Sequence, residues 1–175
     1  MELLNKRDGL ILGICNGFQA LIKLGLLPYG EIRSLKEDDP TLTHNTLGRH
    51  VSCMVNTRIV SISSPWLAGF KVGDIHTIAV SHGEGRFVAN DDWIAKLVAN
   101  EQIATQYVDM NNQPTMKLPF NPNGSVAAIE GITSAEGRIF GKMGHSERRG
   151  EDLYKNIIGN KNQPLFEAGI KYFAN

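Results

Sequence analysis

The stretch that most constrains the fold is residues 9–19, GLILGICNGFQ, where a short apolar run leads through a Gly-Ile-Cys-Asn-Gly turn into an amphipathic pattern. The run from Leu10 to Ile14 is apolar throughout and rich in branched residues, which is typical of a strand buried on both faces of a parallel sheet. Apolar residues then recur at helical spacing up to Gly25, a helix stop signal. The pattern predicts a strand, a sharp turn and a helix, with a cysteine at the turn.

The cysteine at this turn, Cys15, has a glycine two residues before it and another two residues after it, Gly13 and Gly17. Glycines there let the backbone pass close to its neighbours, as in the nucleophile elbow in which serine usually holds the central place. The following helix directs free N–H groups and its positive dipole end at the sulfur, so we expect the pKa of the Cys15 thiol to be lowered. The alternative is a small buried cysteine without a chemical role, because most free cysteines are of that kind and G-x-C-x-G is a short string.

Length and composition exclude several classes of protein. The chain has 175 residues, enough for one domain with a sizeable core, with 42% hydrophobic and 21% charged residues and a formal net charge of +0. Without a charge excess we expect no nucleic acid and no membrane as partner. The longest apolar stretches are far shorter than the roughly 20 residues that span a bilayer, and MELLNKRDG has no signal-peptide apolar region, so we expect a cytoplasmic protein.

The remaining chain mixes strand and helix patterns. Strands are predicted at 50–62, 75–80, 102–108 and 138–143, helices from 91, from 150 and at 164–173, and a loop at 109–124, with 125–132 either a short helix or a strand. Residues 26–49 are predicted to be mostly turn and loop. Because strands alternate with helices at both ends, we expect an α/β fold with a mixed sheet, as a single domain over residues 1–175.

A cysteine nucleophile needs a base that takes its proton and an acid that orients the base. His145 follows a predicted strand directly and has Glu147 two residues on, and residues i and i+2 of an extended backbone point to the same side. His82 and Glu84 have the same spacing, so spacing alone leaves both pairs open. Position favours His145, since its strand and the strand before Cys15 could end at one edge of the sheet.

Metal chemistry is the alternative for these histidines. H-x-E is half of the zinc deaminase signature, which requires a downstream P-C-x-x-C, and no cysteine follows Cys53. A zinc site from His44, His50 and Cys53 has suitable ligand types, but its spacing matches no common site. We therefore expect no metal.

With Cys15, His145 and Glu147 identified, the chain resembles class I glutamine amidotransferase domains and, more narrowly, the glutaminase domain of phosphoribosylformylglycinamidine synthase. The resemblance rests on segments in the family's order: GICNGFQ at 13–19, SPW at 64–66, SHGEGRF at 81–87, NPNGS at 121–125, GITSAEGR at 131–138 and GHSER at 144–148. The loop ending in NPNG and the opening around 42–51 look more like the large single-chain form of the enzyme than the small separate subunit.

This resemblance implies a flavodoxin-like class I glutamine amidotransferase fold with a mixed, mainly parallel sheet. In the family a strand and a glycine-rich loop precede the elbow, and that loop supplies an oxyanion-hole donor. We therefore expect the chain to be part of a longer protein, with the N-terminal strand or strands missing. Many relatives have proline where Ser146 stands, and we expect the chemistry to be unaffected.

The resemblance also implies roles for individual residues. Cys15 attacks the side-chain amide carbon of glutamine, His145 gives a proton to the departing ammonia and later activates water against the thioester, and Glu147 orients His145. Gln19 matches a position that helps to bind glutamine, and the backbone N–H of Asn16 is one oxyanion-hole donor.

Two further residues and the partners follow from the same resemblance. His82 and Glu84 lie in a family signature near the site and are assigned a glutamine-site or interface role. No cofactor is expected in this domain; ammonia passes to the synthase domain of the same enzyme, where ATP and magnesium activate the formylglycinamide ribonucleotide amide. Two alternatives stay open: a cysteine hydrolase that cuts γ-glutamyl bonds on the same scaffold, and a catalytically silent module that docks to the synthase.

Overall fold

The chain forms a six-stranded sheet flanked by helices, with a two-stranded sheet beside it, in a computed structural model that describes residues 1–174. The strands are β1 (Ile11–Ile14), β2 (Thr41–Thr43), β3 (Val51–Ile59), β4 (Ile75–His82), β5 (Arg86–Val88), β6 (Ile103–Val108), β7 (Ile129–Thr133) and β8 (Ile139–Lys142). The helices are α1 (Glu2–Lys6), α2 (Asn16–Lys23), α3 (Leu26–Tyr29), α4 (Asp91–Ala99) and α5 (Leu165–Tyr172), with short 3₁₀ helices at Pro65–Leu67 and Val126–Ala128. In the part of the chain thus described, no helix is both long and apolar enough to cross a membrane.

The strands of the large sheet lie in the order β1-β8-β7-β6-β3-β4. β1 pairs with β8 in parallel, whereas the other four pairings are antiparallel. The prediction of a mixed sheet in an α/β fold is therefore confirmed, but the expectation that the sheet is mainly parallel is wrong. For β7 and β8 the reason is their connection, residues 134–138, which is shorter than the dozen or so residues that a parallel crossover needs.

Helix α2 covers the sheet where β1 meets β8. Its residues Phe18, Leu21 and Ile22 are buried, and a methyl group added at Gly141 of β8 would lie 2.2 Å from the Phe18 ring. This close contact fixes the start of α2, and with it the turn at Cys15, over the end of β1.

Two segments differ from the sequence predictions. Residues 151–157 form turns instead of a helix, and Ile158 is 96% exposed. Apolar spacing alone does not stabilise a short helix in water, and Leu153 and Ile157 are only partly buried. In the predicted loop at 26–49, the three residues of β2 pair antiparallel with β5, so that the strand is formed by a contact that is distant in sequence.

Candidate active site

The turn at Cys15 and the segment at His145 meet at one edge of the sheet. β1 runs parallel to β8 with Ile14 opposite Lys142, and the Cys15 N–H donates to the Lys142 carbonyl at 2.8 Å. The carboxyl ends of parallel neighbours lie at the same edge. The prediction that both segments end at one edge is confirmed.

The last residues of β4 join this edge from the other side. The His145 N–H donates to the Ala79 carbonyl at 2.8 Å, which makes an isolated bridge between the two backbones. The Sγ of Cys15 lies 3.7 Å from the carbonyl oxygen of Ser81. Residues from β1, from the segment after β8 and from β4 are thus brought together, although β1 and β4 lie at opposite ends of the strand order.

These segments enclose a cleft of about 500 Å³. It contains six of the seven residues predicted to form the site, and Glu147 stands behind His145. The lining residues are Cys15, Asn16, Gln19, His50, Ser81, His82, Gly83, Glu84, His145 and Arg148.

The backbone at Cys15 has the geometry of an elbow. Its φ and ψ are 53° and −107°, a sparsely populated region that costs about 1–3 kcal/mol and persists where surrounding structure imposes it. A Cβ at Gly13 would lie 2.7 Å from the backbone carbon of Gly17, so glycine is required there, whereas a Cβ at Gly17 would meet no atom of residues 1–174 within 4 Å. The expectation of a tight glycine approach is therefore confirmed at Gly13 and wrong at Gly17.

The protonation equilibrium of Cys15 differs from expectation. Cys15 is 8% exposed, and this burial raises the pKa of its thiol. The backbone N–H of Asn16 and the charge of Arg148 oppose the rise, while Glu147 adds to it. The helix terminus acts in the predicted direction, but burial is the larger effect, so the prediction of a lowered pKa is wrong and the resting site favours the neutral thiol.

His145 is held by one side chain and is free on its other nitrogen. Its Nδ1 lies 2.5 Å from Oε1 of Glu147, a contact that selects the tautomer in which Nδ1 carries the proton. Its Nε2 is buried and has no hydrogen-bond partner among residues 1–174. A buried nitrogen without a partner at the wall of a cleft is a ready acceptor for a proton.

The predicted substrate-binding residues line the same cleft. Gln19 donates its side-chain amide to the Glu84 carbonyl, and the Glu84 carboxylate lies 3.5 Å from Nδ1 of His44. His82 is 4% exposed, and burial lowers its pKa to about 4, so its ring is neutral near pH 7. Neither ring nitrogen of His82 has a hydrogen-bond partner in the described chain.

Sequence reasoning missed several residues of this site. Arg148 lines the cleft directly after Glu147, and Nε2 of His50 lies 3.0 Å from Oγ of Ser81. The loop that carries Glu84 is fixed by Asn123, whose amide donates to the Gly85 carbonyl at 2.6 Å. Asn123 lies in the NPNGS segment that the sequence analysis singled out. Its partner Gly85 lies 38 residues earlier in the chain, so this contact could not be predicted from local sequence.

A fold of this kind with a cysteine at an elbow and a His-Glu pair in one cleft defines a glutamine amidotransferase-like domain. The family profile of the CobB/CobQ-like glutamine amidotransferase domain matches residues 1–175, and the chain belongs to this family.

Relatives of known name narrow the comparison. The chain is 38% identical over 150 residues to phosphoribosylformylglycinamidine synthase subunit PurQ of Synechocystis sp., covering 85% of this chain and 61% of that protein. It is 36% identical over 166 residues to subunit PurQ of Salinibacter ruber, covering 95% and 64%. The solved structure of PurLQS from Thermotoga maritima matches with a TM-score of 0.69 and 28% identity over 96% of this chain and 64% of that chain.

The chain spans only about three fifths of the length of the relatives it matches. These relatives are named as a subunit, so the expected resemblance to the large single-chain form is not confirmed by them.

Proposed function

We propose that this chain is the glutamine-hydrolysing part of a phosphoribosylformylglycinamidine synthase and releases glutamate and ammonia. The observation that carries the proposal is the placement of Cys15 at an elbow in the same cleft as His145, whose ring is held by Glu147 at 2.5 Å. The names of the matched relatives support the same assignment.

In the proposed mechanism, Cys15 attacks the side-chain amide carbon of glutamine. Because burial favours the neutral thiol, the proton passes from Sγ to Nε2 of His145 as the C–S bond forms. The backbone N–H of Asn16 stabilises the oxyanion. His145 then donates that proton to the departing nitrogen, the C–N bond breaks, and ammonia leaves a thioester on Cys15.

The second half of the reaction uses the same groups. His145 takes a proton from water, which attacks the thioester carbon, and the C–S bond breaks with return of the proton to Sγ. The Glu147 carboxylate stabilises the imidazolium that forms in each half. The products are glutamate and the free enzyme.

The rest of the cleft lining is proposed to hold the amino-acid end of glutamine. The Gln19 side chain and the loop of Glu84 supply an amide and backbone carbonyls, and His82 supplies a neutral ring with two free nitrogens. Arg148 offers a positive charge to the α-carboxylate. Glu84 is suited to the α-ammonium group.

The ammonia is proposed to pass to a synthase domain or subunit that uses ATP and magnesium, in the cytoplasm. The structural relative from Thermotoga maritima is named PurLQS, and this name supports an assembly of more than one component. A γ-glutamyl hydrolase on the same scaffold would release glutamate without supplying a synthase, and a silent docking module would release none.

The experiment is ammonia release from glutamine by the wild-type chain, alone and with the synthase part of the enzyme. Cys15→Ala should lower ammonia release by about 10⁴-fold or more, as removal of other nucleophiles does. The synthase reaction should still proceed when ammonia is added. Cys53→Ala is the matched control and should retain activity. Ammonia release that survives in Cys15→Ala would contradict the proposal.

A further inference from the structure

Two oppositely charged side chains lie completely buried beneath the segment that carries His145. Glu130 of β7 and Lys142 of β8 are each 0% exposed, and Nζ lies 3.4 Å from Oε1. Burial lowers the pKa of Lys142, and the adjacent Glu130 opposes that effect. Buried ion pairs are costly, and an apolar pair of similar volume is often as stable or more stable. Stability alone therefore does not explain this pair.

The pair contacts the residues on both sides of His145, the backbone of Gly144 and the side chain of Ser146. Nζ of Lys142 donates to the Gly144 carbonyl at 2.8 Å and to Oγ of Ser146 at 2.9 Å. Oε1 of Glu130 accepts the Gly144 N–H at 2.5 Å. Lys142 thus binds the residues before and after His145, and Glu130 binds the residue before it.

Glu130 and Ser146 each form a further hydrogen bond. Oε2 of Glu130 accepts a hydrogen bond from the Thr105 hydroxyl, and the Ser146 hydroxyl donates to Oε1 of Gln163 at 2.5 Å. A Cβ added at Gly144 would lie 2.1 Å from Cδ1 of Ile78. The segment therefore has one close-packed position, defined by directional bonds that apolar side chains could not supply.

We propose that the Glu130–Lys142 pair is a positioning element that holds residues 144–146 so that Nε2 of His145 faces the cleft beside Cys15. The inference rests on the proposed function, since it concerns the base of that reaction. Neither side chain lines the cleft, so both act through His145. A displacement of a reacting group by about 1 Å costs on the order of a hundredfold in rate.

The first test separates positioning from stability. Lys142→Met should lower kcat about ten- to a hundredfold and change KM for glutamine by a smaller factor, because Arg148 is the only proposed glutamine contact that lies beside the displaced segment in the described chain. In the double variant Glu130→Leu/Lys142→Met, no unpaired charge is buried, so stability against urea should recover in part. The groups of Gly144 and Thr105 that lose their partners keep it below the wild type, while kcat stays low. Recovery of kcat to the wild-type value in the double variant would overturn the proposal.

Gln102→Met is the matched control. Gln102 is buried on the same sheet and donates to the Pro28 and Thr133 carbonyls, both at 2.9 Å, but it does not touch the His145 segment. Its loss should lower stability and leave kcat unchanged. An equal fall of kcat in Gln102→Met and Lys142→Met would mean that general destabilisation explains both, against the proposal.

A second measurement does not depend on activity. The Nδ1 proton between His145 and Glu147 should give a downfield proton resonance, assigned by its loss in His145→Ala. It should persist in Gln102→Met and disappear in Lys142→Met and in the double variant. If the wild type releases no ammonia yet the resonance follows this pattern, the proposed function fails and the positioning stands; if ammonia is released and both Lys142 variants keep the rate and the resonance, the positioning fails alone.

Discussion

At the scale of single residues, the chemistry of Cys15 depends on which of two opposing effects is larger. A helix N-terminus contributes roughly 0.3–1 kcal/mol at an exposed site, which is less than one pKa unit. Burial at 8% exposure acts against it and raises the thiol pKa. The sequence predicts the helix but not how deeply Cys15 is buried. The direction of the pKa shift of its thiol could therefore not be predicted from the sequence.

The raised pKa gives a test in the Cys53→Ala background, where Cys15 is the remaining cysteine. The rate of alkylation by iodoacetamide should still be rising with pH at pH 9, since the thiol pKa lies above its usual 9.0. Arg148→Gln should shift the profile to still higher pH, because Arg148 lowers that pKa. A plateau below pH 8 would contradict this account of the site.

His82 gives a prediction for stability. Its pKa is about 4 in the folded chain and 6.5 in its usual state, so between these values the unfolded chain binds a proton that the folded chain does not. Stability therefore falls as pH falls through this window. Between pH 7 and 5 the wild type should lose about 2 kcal/mol more than His82→Gln.

Urea unfolding of both proteins at the two pH values measures this difference. His76, whose pKa is also lowered by burial, is present in both proteins and cancels. Equal losses in the two proteins would show that the ring of His82 is hydrated and not buried.

The candidate catalytic residues could be predicted because local spacing sets their geometry. The turn fixes Cys15, and the i, i+2 relation places Glu147 beside His145. Ser81 and His50 could not be predicted, because their places in the cleft depend on strand pairings over long sequence distances.

At the scale of secondary-structure elements, the two glycines of the G-x-C-x-G motif have different structural roles. Gly13 lies under the backbone of α2, whereas Gly17 is an ordinary residue of the first turn of α2. Only contacts in three dimensions distinguish the two glycines.

The two glycines form a matched pair for substitution. Gly13→Ala forces a methyl group against backbone and should lower the free energy of unfolding by about 1–3 kcal/mol. Gly17→Ala meets open space and should raise it by up to about 1 kcal/mol, because alanine is the better helix former. Thermal or urea unfolding checks both, and a tolerated Gly13→Ala would contradict the close approach at the elbow.

For the sheet, sequence patterns predict where most strands lie but not how the strands pair. Strand positions could be predicted from apolar runs, and most agree with the structure within a few residues. The directions of the strands could not be predicted, because a buried apolar strand has the same sequence pattern in parallel and antiparallel pairings. The prediction of a helix from residue 150 is wrong because its apolar spacing is not matched by burial, and Ile158 is 96% exposed.

At the scale of the whole molecule, the sheet brings its two ends together. β4 and β1 are the terminal strands of the order, yet the Ala79–His145 bridge and the contact of Cys15 with Ser81 close a cleft between them. The proposed glutamine site therefore depends on the complete sheet and forms only when the sheet is folded.

The most direct test of the central claim is covalent labelling of the wild-type chain by a diazoketone analogue of glutamine, followed by intact-mass and peptide mass spectrometry. We expect one label, on Cys15, slowed by excess glutamine, retained in Cys53→Ala and absent in Cys15→Ala. Labelling of Cys53 as fast as Cys15, or labelling that glutamine does not slow, would contradict a glutamine site built around Cys15.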